Sequence, residues 1–241
     1  MTAWLTPDWP APANVRARVT TRAGGVSVEP FDSFNLGEHV GDEPAAVAEN
    51  RRRLVSELGC QPAWLSQVHG IEVVEADPSA VATADASWSA TPGIACTIMT
   101  ADCLPALFCD RAGTRVGAAH AGWRGLAGGV LEATVDAMGV APAELLVWLG
   151  PSIGPRAFEV GPEVREAFLD EHAEVEHAFV PSVNAGKFMA DIYELARIRL
   201  AAKGVTAVYG GDFCTFTDTE RFYSYRRNSR TGRLASLIWL A

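Results

Sequence analysis

The sequence has no excess of basic residues. Its 29 acidic and 20 basic residues give a formal net charge of −9 and a pI of about 5.0. A protein that coats nucleic acid or binds an anionic membrane surface needs a basic face. The composition therefore argues against both kinds of partner, although it leaves room for a local basic pocket.

Long apolar runs are also missing. The longest, at 97–109 and 145–149, are much shorter than the ~20 residues that cross a bilayer, and residues 1–19 lack the pattern of a secretory signal peptide. An odd number of cysteines without framework spacing indicates reduced thiols. The five are Cys60, Cys96, Cys103, Cys109 and Cys214. We therefore expect a cytoplasmic, enzyme-like protein.

Neither a dinucleotide-binding glycine fingerprint in strand-to-helix context nor a phosphate-binding P-loop occurs. Strand patterns outnumber helical ones and the two alternate only in part, which favours an α+β or layered fold over a doubly wound sheet. With no internal repeat or long linker, we expect a single domain over residues 1–241.

Hydrophobic patterning predicts the main elements. Helices are predicted at 44–58, closed by Gly59, at 125–140 and in two later segments. Strands are predicted at 15–22, 93–110 with a break at Asp102 and Pro105, 114–123, 205–216, 221–228 and 234–240. The segment 144–155 is predicted to be a buried strand that runs into a Gly/Pro turn. Residues 80–90 are small and polar, and are predicted to form a surface excursion.

Three apolar segments end in residues that can bind a metal. They are SQVHG with His69, TADC with Cys103, and AAHAGWRG with His120. Zn²⁺ accepts imidazole nitrogen and thiolate sulfur, and catalytic zinc sites use three protein ligands and keep an open position. A second interpretation makes Cys103 a nucleophile with His120 as its base and Asp102 as the orienting group. Spacing alone leaves both open.

A series of motifs carries a resemblance that spans nearly the whole chain. In order, they are TTRAGGVS, FNLGEHVGD, SQVHG, TADCLPALFCD, AAHAGWRG, GPSIGP and FYSYRR. The chain resembles the YfiH or laccase-domain family, also called DUF152 or multicopper polyphenol oxidase. The resemblance implies a single α/β/β/α layered domain with mixed sheets. It also implies that His69, Cys103 and His120 are metal ligands.

The family resemblance implies chemistry without fixing one reaction. Its members include proteins assigned as copper polyphenol oxidases. Others act on purine nucleosides, by phosphorolysis of adenosine, inosine or methylthioadenosine and by deamination of adenosine. The implied partners are a purine nucleoside and phosphate, and the oligomeric state stays open.

The histidine content argues against laccase chemistry. A laccase needs a type 1 copper and a trinuclear copper cluster, and hence many histidines. This chain has five, of which His172 and His177 lie in a charged segment. We therefore expect Zn²⁺ as the metal, with copper as an alternative. A thiol hydrolase that uses Cys103 as its nucleophile, and a nucleotide-sensing or cell-wall-associated accessory protein without turnover, are the other candidates.

Four residues are predicted to act on the substrate. Asp102 is a candidate general acid or base beside the metal, or a group that orients a ligand. Arg22, before a Gly-Gly turn, and Arg124, at a helix start, are candidates for phosphate binding, and Arg22 is also placed among the catalytic residues. Asn35 is a candidate for a ribose hydroxyl or base edge, or for an Asx-type turn.

Overall fold

The computed structural model describes residues 4–169 and 173–241; His172 lies outside them. Its α-helices are α1 Pro44–Leu58, α2 Trp123–Gly128, α3 Val130–Met138, α4 Pro162–Leu169 and α5 Ile192–Ala202. Its strands are β1 Val15–Val19, β2 Gln61–Ala63, β3 Leu65–Ser66, β4 Val73–Glu75, β5 Ala82–Thr83, β6 Ala86–Ser89, β7 Ile94–Thr100, β8 Leu104–Asp110, β9 Val116–Ala121, β10 Leu145–Leu149, β11 Glu159–Val160, β12 Phe179–Pro181, β13 Phe188–Ala190, β14 Ala207–Gly210 and β15 Leu234–Leu240.

Two mixed sheets form the centre of the fold. One has the strand order β1-β15-β7-β2 and the other β14-β10-β8-β9-β6-β4. Successive side chains of a strand point to opposite faces, and β8 shows the consequence. Leu107 and Cys109 pack between the two sheets with Ile98 and Ile238, whereas Phe108 faces a different core.

Helices cover the two outer faces. Leu54 of α1 packs with Leu237 and Trp239 of the four-stranded sheet. On the other side, Leu131 of α3 and Leu195 of α5 join the core of the six-stranded sheet. The order of layers is therefore helix, sheet, sheet, helix, which confirms the predicted layered α+β fold with mixed sheets. Within the described ranges, no helix is long and apolar enough to span a bilayer.

The predicted elements agree with the structure where the pattern of neighbouring residues determines the helix and its end. Helix α1 has the predicted bounds and ends at Gly59, whose left-handed φ of 67° suits glycine. The predicted helix at 125–140 is two helices, because Gly129 adopts a φ of 101° between α2 and α3.

Three element predictions are wrong. Residues 80–90 are not a surface excursion, since β6 pairs with both β4 and β9 inside the six-stranded sheet. Residues 221–228 are turns instead of a strand, because Ser224 Oγ and the backbone N–H of Arg226 both bind Asp102. In the predicted strand 205–216, only Ala207–Gly210 is extended and paired.

Candidate metal centre

Two imidazoles and a thiol converge at one end of the six-stranded sheet. The ligand atoms of His69, Cys103 and His120 all lie within 4.8 Å of one another. Cys103 Sγ is 3.7 Å from His69 Nε2. Tetrahedral zinc with ordinary Zn–S and Zn–N bonds separates such atoms by roughly 3.6 Å. The donor set therefore fits a metal ion in both its chemistry and its spacing.

The strand pairing explains why Cys103 and His120 meet. In the ladder of β8 and β9, Leu104 lies opposite Ala121, so Cys103, just before Leu104, lies beside the end of β9. A Cβ on the next residue, Gly122, would stand 2.8 Å from His69 Cδ2 and 3.0 Å from Cys103 Sγ. Glycine is needed there because any side chain would push into the donor group.

His69 sits on a strained turn. Its φ is 63°, in the left-handed region that only a few per cent of non-glycine residues adopt. The buried carboxylate of Asp85 accepts hydrogen bonds from the backbone N–H groups of Val68, His69 and Gly70, at 3.1, 2.9 and 2.7 Å. These bonds offset the cost of the turn, which is about 1–3 kcal/mol for such a conformation.

The same carboxylate orients His120. Asp85 Oδ1 lies 2.8 Å from His120 Nδ1, so the Nε2 of His120 is left to face the metal position. Asp85 thus positions two of the three donors. Sequence analysis missed it, and the one signal available was an isolated acidic residue among small residues in a predicted excursion.

The donors carry complementary charges before any metal binds. Burial raises the pKa of the Cys103 thiol, but the charge of His120 and hydrogen bonds from both histidines outweigh it and lower that pKa to about 6. Burial lowers the pKa of His120, while Cys103 and Asp85 raise it to about 9. The thiolate, which is the form that binds metals, is therefore favoured at neutral pH.

Asp102 precedes Cys103, and its carboxylate binds residues of the C-terminal segment. Its φ is 96°. The carboxylate accepts hydrogen bonds from Thr215 Oγ1 at 2.6 Å, Ser224 Oγ at 3.0 Å and the backbone N–H of Arg226 at 2.7 Å. These bonds anchor the C-terminal segment to the bend between β7 and β8. The role of Asp102 as a general acid or base stays a prediction.

A cavity of about 590 Å³ opens over the three donors. Its size suits a small organic ligand. Its walls combine aromatic side chains, which can stack on a flat base, with arginines, which bind anions. The aromatic group is Trp123, Phe158 and Tyr225, and the cationic group is Arg124, Arg226 and Arg233.

Comparison with known proteins places the chain in a family. Residues 16–241 match the model of the multi-copper polyphenol oxidoreductase laccase family. The chain belongs to that family. This confirms the resemblance found in the sequence motifs.

Relatives match along their whole lengths. A purine nucleoside phosphorylase of Pseudomonas aeruginosa is 77% identical over 240 residues, covering 100% of this chain and 99% of the relative. Purine nucleoside phosphorylase YfiH of Escherichia coli is 56% identical, with 100% of both chains covered. A Neisseria meningitidis DUF152 structure has a TM-score of 0.96 at 54% identity, covering 98% of each chain.

Of the residues predicted to bind the substrate, some line the cavity and others do not. Arg124 lines the cavity, with its guanidinium 4.4 Å from the centre of the Trp123 ring. Arg22 is not among the lining residues. Its guanidinium pairs with Asp32 at 2.9 Å and lies 5.3 Å from the centre of the Tyr223 ring.

Asn35 is buried and also lies outside the cavity lining. Its Oδ1 accepts hydrogen bonds from the backbone N–H groups of Gly37 and Arg233, both at 2.9 Å. This is the Asx-type turn that the sequence offered as an alternative. Asn35 therefore holds the backbone of Arg233, whose side chain lines the cavity.

Sequence analysis also missed the contribution of Arg233. Nothing in its local sequence, TGRLAS, distinguishes it from a surface arginine. Of the pair in YSYRR, Arg226 lines the cavity, whereas Arg227 donates to the backbone carbonyls of Thr215, Phe216 and Phe222. Neighbouring residues point in different directions, so only one of the two reaches the cavity.

Proposed function

We propose that this protein is a metal-dependent purine nucleoside phosphorylase. The observation that carries the proposal is the convergence of His69, Cys103 and His120 on the floor of a cavity with aromatic and arginine walls. Phosphorolysis of a purine nucleoside needs a surface for a flat base, a site for an anion and a centre that stabilises developing charge. Relatives that share 77% and 56% identity are named purine nucleoside phosphorylases, which supports the same assignment.

We propose Zn²⁺ as the metal, with copper as an alternative. An ion held by these residues would supply Lewis acidity beside the reacting bond. Cys103 would bind it as a thiolate, and Asp85 would keep His120 turned towards it through the bond to Nδ1. Trp123 and Phe158 would stack on the purine and shield it from water.

The proposed substrates are adenosine, inosine and methylthioadenosine, and we propose deamination of adenosine as a second activity. The test incubates each nucleoside with the zinc-loaded protein, with and without phosphate, and separates the products by chromatography. Phosphate-dependent release of free base supports phosphorolysis, whereas phosphate-independent formation of inosine supports deamination. Nucleoside turnover that survives complete chelation would contradict the metal dependence.

The roles of the four predicted substrate residues remain part of the proposal. Asp102 is the proposed general acid or base, and Arg124, which lines the cavity, is the better placed of the proposed phosphate contacts. Arg22 and Asn35 would contribute from behind the wall, since their side chains bind Asp32 and the backbone of Arg233. The cytoplasmic location and the single domain over residues 1–241 stay predictions.

One observation favours a second candidate, a thiol hydrolase. Cys103 lies beside His120, and His120 Nδ1 is bonded to Asp85 Oδ1 at 2.8 Å, which is the order of nucleophile, base and orienting carboxylate. In this candidate, Asp85 would take the orienting role that was predicted for Asp102. Hydrolysis of acyl substrates that survives chelation and is lost after iodoacetamide would support it.

The family description keeps polyphenol oxidation as a third candidate. In residues 4–169 and 173–241, His69, Cys103 and His120 are the one cluster of three or more such side chains close enough to share an ion, whereas laccases assemble four coppers. Oxygen consumption with a phenolic substrate, measured on the copper-loaded protein, tests this candidate directly.

A further inference from the structure

The cavity is positively charged in a protein whose formal net charge is −9. Elsewhere, many arginines are paired with carboxylates. The pairs include Arg22–Asp32, Arg51–Glu38, Arg52–Glu49, Arg165–Glu176 and Arg221–Asp218. In the part of the chain that the structure describes, none of the three cavity arginines has such a partner. Charges held at a cavity wall without a counterion favour an anionic ligand.

The one carboxylate in the cavity lining does not balance these arginines. Asp102 is the acidic residue of the lining. Its two oxygens already accept hydrogen bonds from Thr215, Ser224 and the backbone N–H of Arg226. One carboxylate cannot neutralise three guanidinium groups, so positive charge remains available to a ligand.

Both arginines are held in place by their backbones. The N–H of Arg226 is fixed by Asp102, and that of Arg233 by Asn35 Oδ1 at 2.9 Å. A Cβ on Gly37 would lie 2.7 Å from Cγ of Arg233, so the arginine stem packs directly on that backbone. Such preorganisation reduces the entropy lost when a ligand binds.

Each guanidinium also keeps free donors. The hydrogen bonds of Arg233 to the described residues use Nη1, which donates to the carbonyls of Thr231 and Gly232 at 3.1 Å. Those of the Arg226 side chain use Nη1, which donates to the Glu159 carbonyl at 2.9 Å. In both side chains, Nε and Nη2 remain, and together they form the planar fork that matches two oxygens of a phosphate.

We propose that Arg226 and Arg233 bind the inorganic phosphate that attacks the nucleoside, a role that rests on the proposed phosphorolysis. Both belong to the C-terminal part of the chain, and Arg233 lies within electrostatic range of Cys103. Phosphate held there would stand beside the metal donors. Arg124 lines the same cavity, with its guanidinium over the Trp123 ring, and stays the phosphate contact proposed above.

The reaction at this site balances without a further reactant. An oxygen of hydrogen phosphate supplies the electron pair of the new bond to C1′ of the ribose. The electron pair of the bond between C1′ and the purine nitrogen leaves with the purine. The proton of hydrogen phosphate ends on that purine, so the products are the free base and ribose 1-phosphate. The arginine pair would stabilise the phosphate charge throughout.

The test measures binding of inorganic phosphate to the zinc-loaded full chain by isothermal titration calorimetry. Arg226→Gln and Arg233→Gln should each raise the phosphate Kd by about tenfold or more, as expected for the loss of charge-assisted hydrogen bonds. The matched control is Arg230→Gln. Arg230 is an exposed arginine of the same segment that lies over the Phe31 ring and outside the lining. It should leave the Kd unchanged.

Steady-state kinetics separates this site from the proposed function. In the two cavity variants, the KM for phosphate should rise much more than the KM for inosine. Phosphate-dependent turnover with an unchanged phosphate Kd and KM in both variants would overturn the site and leave the function standing. Phosphate binding that depends on the two arginines, without any nucleoside turnover, would support the site and overturn the proposed function. Circular dichroism verifies that each variant folds. If Arg233→Gln does not fold, the phosphate Kd and KM of Arg226→Gln, at an exposed position, test the proposal.

Discussion

His69 and Asp102 both adopt left-handed backbone conformations at the candidate metal centre. The hydrogen bonds that fix these two residues run in opposite directions. His69 is itself a donor, and its turn is fixed by a carboxylate from elsewhere, that of Asp85. Asp102 is not one of the three donors. It places the next residue, Cys103, at the centre, and its own carboxylate reaches out to the C-terminal segment.

The two carboxylates therefore hold different parts of the same cavity. Asp85 positions the proposed metal donors, because it binds the His69 turn and the ring of His120. Asp102 fixes the wall, because it binds Ser224 and the backbone of Arg226. The metal and the arginine wall should therefore respond differently when one of these carboxylates is removed.

The largest effect should come from Cys103→Ala, which removes the donor that the Asp102 bend presents. We expect the bound metal and nucleoside turnover to be lost, because two imidazoles alone hold zinc weakly. The fold should remain, since alanine fits the bend. Zinc content by mass spectrometry and thermal unfolding are the measurements.

The matched control is Cys214→Ala, at another partly exposed cysteine outside the donor group. It should keep its zinc. Full metal occupancy in Cys103→Ala would show that the ligand assignment is wrong.

Asp85→Asn should have the next largest effect, and this effect should be mainly on zinc affinity. An amide cannot accept all the hydrogen bonds that Asp85 receives from the His69 turn and His120. We expect zinc affinity to fall by about 10–100-fold, as for other groups that orient ligands. A competition titration with a zinc chelator measures it.

Asp77→Asn serves as its control, because Asp77 is exposed and its carboxylate accepts hydrogen bonds from the nearby Ser79. Its zinc affinity should match that of the unsubstituted protein. An unchanged zinc affinity in Asp85→Asn would end the claim that one carboxylate positions both histidines.

Asp102→Asn should act on the wall more than on the metal. The loss of one charge-assisted interaction with Ser224 or Arg226 should lower the free energy of unfolding by about 1–3 kcal/mol. Phosphate should bind more weakly, whereas zinc affinity should change only a few-fold. Chemical denaturation, calorimetry and zinc titration give the three quantities.

Two outcomes for Asp102→Asn would show whether Asp102 and Asp85 have separate roles. A large fall in kcat with unchanged zinc and phosphate binding would support the predicted acid or base role. A loss of zinc as large as that in Asp85→Asn would show that the two carboxylates do not serve separate tasks.

The smallest effect concerns thiol reactivity in metal-free protein. The pKa of Cys103 is lowered to about 6, so its thiolate fraction rises as pH increases through that value. Burial raises the pKa of Cys60 to about 11 and that of Cys96 to about 12, which keeps both protonated. At pH near 7, iodoacetamide should label Cys103 and spare the other two.

Mass spectrometry of tryptic peptides over a pH series measures the labelling, and saturation with Zn²⁺ before labelling provides the control. Labelling of Cys103 should then fall, because the thiolate is bound. Equal labelling of Cys60 and Cys103 in the metal-free protein would contradict the charge pairing with His120.

The cluster of His69, Cys103 and His120 could be predicted because each member ends a recognisable apolar run and because its motifs match a family. Its role as a metal site stays a proposal. Asp85 could not be predicted, since small residues around an aspartate resemble a surface loop as closely as a buried strand. The arginine wall was found only in part. Alternation of direction in YSYRR predicts that at most one of Arg226 and Arg227 faces the cavity. That this residue is Arg226 depended on how residues 221–228 fold.

Hydrophobic patterning and residue motifs were enough to predict the helices and strands with clear periodicity, the layered fold class and three metal-competent residues. Hydrophobic spacing is a property of neighbouring residues, so it can be read locally. The tertiary structure alone decided that Asp102 binds Ser224, 122 residues away, and that Asp85 holds two histidines. Such partners are chosen by which strands pack together, and no local pattern records that choice.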